Sequence, residues 1–106
     1  MSFTTVAKMK RLRGVLLKLL CTNHDEQASR FDSSALWSAL IGGLRFDVPL
    51  NDVHTALQDL KARGYVTFEQ RKDKKNGDIF ITLIELCPKG RDLLEETITD
   101  PAVELL

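Results

Sequence analysis

The chain has 106 residues, 43% hydrophobic and 28% charged, with 15 Lys plus Arg against 15 Asp plus Glu. That composition suits one ordinary globular domain and leaves no room for a second core. Zero formal net charge argues against a uniformly basic nucleic-acid binder. The longest apolar run, Val15 to Leu20 interrupted by Lys18, is far too short to span a bilayer.

The spacing of Val6, Met9, Leu12, Leu16, Leu19 and Leu20 predicts a first helix from about Thr5 to Cys21. Asn23 to Gln27 reads as a polar break, and Arg30-Phe31 as a very short strand. Asp32 or Ser33 is expected to cap a second helix over Ser34 to Ile41. Its buried face is Leu36, Trp37, Leu40 and Ile41, and Gly42-Gly43 stops it. After a connector from Arg45, Pro49 suits the first turn of a third helix, Leu50 to Ala62. Leu50, Val53, Ala56, Leu57 and Leu60 form its apolar stripe, and Gly64 ends it.

The period then changes from helical to alternating. Tyr65 to Arg71 and Ile79 to Cys87 read as two strands joined by a polar turn centred on Asn76-Gly77. Pro88 breaks the second strand, and Lys89 to Thr97 forms a last short helix. The domain is assigned to residues 1–106, with 1–4 and 100–106 as tails. The fold class is α+β, mainly α: a three-helix helix-turn-helix core, a β-hairpin wing and a short C-terminal helix.

Charge is unevenly spread along the chain. Lys8, Lys10, Arg11, Arg13, Lys18 and Arg30 make a basic front, while Glu85, Asp92, Glu95, Glu96, Asp100 and Glu104 make an acidic back. A dipolar molecule can present a local positive face at zero net charge. Cys21 and Cys87 lie far apart, outside any CxxC or Cys/His cluster. With no signal peptide at Met1, they are expected to be buried free thiols in a reducing cytoplasm.

Val53 to Val66 (VHTALQDLKARGYV) resembles the third helix and first wing strand of winged-helix proteins. Leu86 to Leu94 (LCPKGRDLL) is similar to the exit from the wing into the last helix of that family. The resemblance covers nearly the whole chain and is specific for fold rather than function. The size, the basic first helix and the segment Thr97 to Ala102 (TITDPA) further resemble a small winged-helix protein of Mu-like transposable phages and prophages. That resemblance implies a phage context more than a mechanism; with the winged-helix resemblance and the basic wing, the expected function is a DNA-binding transcriptional regulator of phage type.

In winged-helix proteins that bind DNA, the third helix enters the major groove and the wing touches the backbone. Here that implies Asn51, His54, Thr55 and Gln58 on the helix, where Asn and Gln can read adenine and Thr can meet a thymine methyl. The same side chains also suit an ordinary solvated face, and Asp52 and Asp59 nearby would repel phosphate. On the wing, Arg71, Lys72, Lys74 and Lys75 are placed to neutralise phosphates. Charged hairpin tips also serve solubility and guard strand edges.

No nucleophile or Gly-rich loop accompanies the histidines, so no enzyme activity, cofactor or metal is expected; His24-Asp25-Glu26 alone makes a poor ligand set. The expected partners are DNA and a second copy of the chain, because Thr4 to Leu20 and Leu93 to Leu106 carry more apolar residues than a small monomer hides. The alternative is a protein-interaction adaptor without DNA binding, suggested by zero net charge and the acidic, apolar-ended tail.

Overall fold

The structure, a computed structural model, describes residues 5–27 and 32–105, with side chains described over 5–22 and 32–105. Helix α1 spans Val6–Gln27, α2 Ser33–Ser38 and α3 Leu50–Ala62. Strands β1 (Val66–Lys72) and β2 (Ile79–Leu86) pair antiparallel, and α4 (Pro88–Leu94) comes after them. The class is α+β, mainly helical, with one two-stranded hairpin among the described residues. None of the described helices is long and apolar enough to cross a membrane. The expected strand at Arg30-Phe31 lies outside the described residues.

Leu12, Leu16, Leu17 and Leu20 put the buried stripe of α1 against α3, the hairpin and α4. The helix does not break at Asn23 but continues to Gln27. No Gly or Pro interrupts this stretch, and Glu26 and Gln27 are good helix formers, so loss of the apolar period does not end the helix. Cys21 is therefore inside α1, and both thiols are free and half-buried rather than fully buried.

Asp32 caps α2, its Oδ1 accepting from the Ala35 N–H at 2.7 Å. The helix then widens into a π turn over Ala39–Gly43, closed by Leu44 N–H donating to Ala39 O at 3.0 Å. Leu36 and Leu40 stay fully buried, but the widened turn shifts the helical phase, so Ile41 is exposed instead of facing the core. Trp37 Nε1–H donates to Val48 O at 2.7 Å and braces the connector against α2.

Helix α3 has the bounds its period implies, with Pro49 as its cap rather than inside its first turn. Val53, Ala56, Leu57 and Leu60 are wholly buried. Gly64 adopts φ +83°, which turns the chain straight into β1.

Val66 and Phe68 of β1, with Ile81 and Ile84 of β2, form the hairpin's core face. Register runs Glu69 to Thr82, then Thr67 to Glu85, so β2 carries one extra residue between them. That bulge includes Leu83, at φ +54° and 46% exposed. By absorbing one residue it keeps Ile84 inward and Glu85 outward; plain alternation from Ile81 would reverse them. Beyond Phe68 all residues of β1 are exposed, and the hairpin leaves the core.

Helix α4 ends at Leu94, three residues before the expected Thr97. Glu96 turns left-handed (φ +62°), and Thr97 donates to Asp92 O through both its N–H and its Oγ1. The segment after it is no free tail. Tyr65 Oη donates to Asp100 Oδ2 at 2.7 Å, and Arg63 pairs with the same carboxylate at 3.1 Å. Burial alone would raise the Asp100 carboxyl, but hydrogen bonds from Tyr65, the Ala102 N–H and Arg63 outweigh it and hold it below the ordinary range. Burial, then the bond to Asp100, pushes the Tyr65 phenol up to about 12.

From Asp100 the chain crosses α1. Val103 is buried, Arg13 Nη1 donates to Ala102 O at 2.9 Å, and Glu104 N–H donates to Lys10 O at 3.1 Å. A Cβ at Gly14 would lie 1.9 Å from Glu104 O, so only glycine admits this crossing. The first helix and the C-terminal strap thus cover each other within one chain.

Candidate nucleic-acid interface

Three turns of α3 determine which side chains reach solvent. With Val53, Ala56, Leu57 and Leu60 inward, Asn51, Thr55 and Gln58 fall on one exposed stripe. Thr55 Oγ1 donates to Asn51 O at 3.0 Å. Gln58 Nε2 donates to Gln70 Oε1 at 3.2 Å, across to β1. Three residues on, Lys61 Nζ donates to Phe68 O at 3.3 Å and lies 4.6 Å from the centre of the Phe68 ring. These two links fasten the second half of α3 to β1.

His54 does not share the stripe. It is 9% exposed, on the flank facing α2, where its Nε2 and Ser33 Oγ share a hydrogen bond at 2.8 Å. Burial lowers its pKa from the ordinary 6.5 and favours the neutral ring. His54 therefore joins α3 to α2 instead of standing on the open face.

The hairpin cations Arg71, Lys72, Lys74 and Lys75, expected on a wing, are all exposed. Arg71 pairs across the ladder with Phe80, and Lys72 with Ile79. The tip is a six-residue loop, wider than a two-residue Asn-Gly turn. Asp73 N–H donates to Asp78 O and Gly77 N–H to Asp73 O, each at 2.8 Å. The Asp73 and Asn76 side chains accept from the Lys75 and Asp78 N–H groups. Asp73 is thereby spent on holding the tip that presents Lys74 and Lys75.

Asp59, which stood as an objection to phosphate near α3, pairs with Arg13 Nη2 of α1 at 2.9 Å. Arg13 is a half-buried tie between α1, α3 and the strap, not a member of a solvated basic face. Its side chain is 15% exposed and its buried Nε lacks a partner among the described residues. Lys8 is likewise committed, donating to Asp47 O and lying over Phe46.

A cleft of about 450 Å³ opens between residues 32–34, the first turns of α3 and Gly77 to Thr82. Asn51, His54 and Phe80 line it, with Asp32 and Asp78 at its sides. Sequence reasoning missed Phe80 as an exposed residue and Gln70 as a neighbour of α3. The signal for Phe80 was the unbroken run Ile79-Phe80-Ile81, in which one side chain must face away from the core. Gln70 offered no local signal. Among the described residues no three His, Cys, Asp or Glu side chains are grouped to hold a metal. The side chains of His24 to Glu26 lie outside the described residues.

Comparison with family models, with curated proteins and with solved structures finds no match to this chain.

Proposed function

We propose that this chain is a winged-helix DNA-binding domain acting as a transcriptional regulator, of the phage or prophage type its sequence resembles. The observation that carries the reading is the pairing of two surfaces. The exposed polar stripe Asn51, Thr55, Gln58 runs beside a hairpin bearing Arg71, Lys72, Lys74 and Lys75, and Gln58 bonds to the hairpin at Gln70. Helix α3 lies in the major groove, where carboxamides can make paired hydrogen bonds to adenine. The wing cations neutralise backbone phosphates and release counterions. Local placement matters more than net charge here, because Asp59 is paired with Arg13 and the four hairpin cations outnumber Asp73 and Asp78 beside them. His54, being buried, is left out of the contact set.

The test is fluorescence anisotropy on a random-sequence duplex at low and moderate salt. Submicromolar binding at low salt that falls steeply with added salt is the expected result. Lys74→Ala with Lys75→Ala should weaken binding about equally for all sequences and reduce the salt slope by roughly 0.9 per lost phosphate contact. Absence of binding at low salt, or an unchanged double variant, would overturn this arrangement. Failure of DNA binding would favour the second reading, a protein-interaction adaptor. Phe80 and Leu83, 51% and 46% exposed on β2, speak for it.

A further inference from the structure

We infer that Gln70, on the wing strand, is a positioning residue that sets how Gln58 reads a base, and that the base is adenine. The inference rests on the DNA-binding reading above and adds to it the source of sequence preference.

Four observations bring the two carboxamides together. The ladder pairs Gln70 with Ile81, and directly opposed residues of an antiparallel pair point to the same face. Ile81 is buried, 1% exposed, so Gln70 points to the side of the hairpin that packs on α3. Gln58 Nε2 then donates to Gln70 Oε1 at 3.2 Å. The Lys61 bond to Phe68 O, one turn along α3 and two residues back along β1, holds helix and strand in that relation.

A glutamine amide has two N–H donors and one carbonyl oxygen. An adenine edge in the major groove presents one acceptor, N7, and one donor, the N6 amino group. Reading it bidentately takes one donor and one acceptor. The bond to Gln70 uses the surplus N–H of Gln58 and leaves one N–H and the carbonyl free, the pair that adenine requires. It also limits rotation of the terminal amide. Reversal of the Gln58 amide alone would aim a carbonyl at a carbonyl and be repelled, whereas reversal of both amides together restores the bond with Gln70 donating. An isolated Gln58 on an open helix face would lose more rotamer entropy on binding and could present its donor and acceptor in either order. Gln70 thus acts through Gln58.

The experiment begins with selection of a preferred duplex from a random library by the full chain. Affinity is then measured for that duplex and for versions with each adenine replaced. The wild type is expected to discriminate at one adenine on the order of tenfold or more, the scale of a bidentate contact. Gln58→Ala should abolish that preference. Gln70→Leu, similar in size but unable to accept, should bring the ratio close to that of Gln58→Ala, with the salt slope unchanged. Gln70→Glu keeps an acceptor and should retain the ratio even where its charge lowers affinity for every duplex. A merely structural Gln70 would lower affinity for all sequences and leave the ratio alone.

An unchanged ratio in Gln70→Leu would overturn the inference. So would loss of the ratio in Gln70→Glu, or selection that yields no adenine dependent on Gln58. Wild-type protein that binds no duplex at all would instead refute the DNA-binding reading on which the inference stands.

Discussion

At the scale of single residues, His54 shows how a side chain chosen for one role can be held for another. Its place between the apolar stripe and the open stripe of α3 left its direction to whichever neighbour packed there, and α2 took it through Ser33. Burial lowers its pKa, so the folded protein keeps the ring neutral where the unfolded chain begins to take up a proton. The resulting stability is full above the unfolded value of 6.5 and is lost as pH falls towards the lower folded value. Denaturant unfolding at about pH 7.5 and about pH 5.5 should show the loss. His54→Gln, whose amide can still bond to Ser33, should flatten that slope. Equal slopes in the two proteins would contradict the assignment. Gln70 is the opposite case, an exposed side chain whose meaning comes wholly from its neighbour.

At the scale of elements, α3 and the hairpin were legible because their limits are written locally. Pro49 and Gly64 bracket a helical period, and a polar turn with Asn76-Gly77 separates two β-branched runs. Past Asn23 the composition turns polar and the apolar period stops although the helix does not. The π turn at Ala39–Gly43 and the bulge at Leu83 change no composition and break no period sharply. They adjust phase, and phase is decided by packing. The bulge can be tested directly. Leu83 has a positive φ that costs a branched residue about 1–2 kcal/mol, while glycine loses part of that gain to chain entropy. Because Leu83 is also half exposed, Leu83→Gly should leave the fold intact and stabilise it by up to about 1 kcal/mol in urea unfolding. Marked destabilisation would mean that the exposed side chain contributes more than its backbone strain costs.

At the scale of the whole molecule, the candidate site was half legible. The wing cations and the stripe Asn51, Thr55, Gln58 follow from period and charge, whereas the Gln58–Gln70 and Arg13–Asp59 links require the tertiary arrangement. The closing strap was not legible at all, because its acidic and apolar residues fit a free tail as well as a packed one. Its test lies at Gly14. In an open helix, Gly→Ala gains roughly 1 kcal/mol. Here the new Cβ meets Glu104 O, and the sign should reverse to a loss of about 1–3 kcal/mol, the usual cost of overpacking. A stabilised Gly14→Ala protein would show that the crossing yields easily.

The same crossing bears on the order in which the molecule is made. Lys10 and Gly14 emerge from the ribosome early, while Ala102 to Glu104, which bond to α1 and close over it, emerge nearly ninety residues later. Until then the face of α1 around Gly14 lacks its cover, and the Arg13–Asp59 tie lacks the neighbouring Ala102 carbonyl. Contacts of such long sequence separation form slowly and reward the chain late. The leucine stripe of α1 can therefore be covered by α3 and the hairpin while the face around Gly14 stays open until the strap is made.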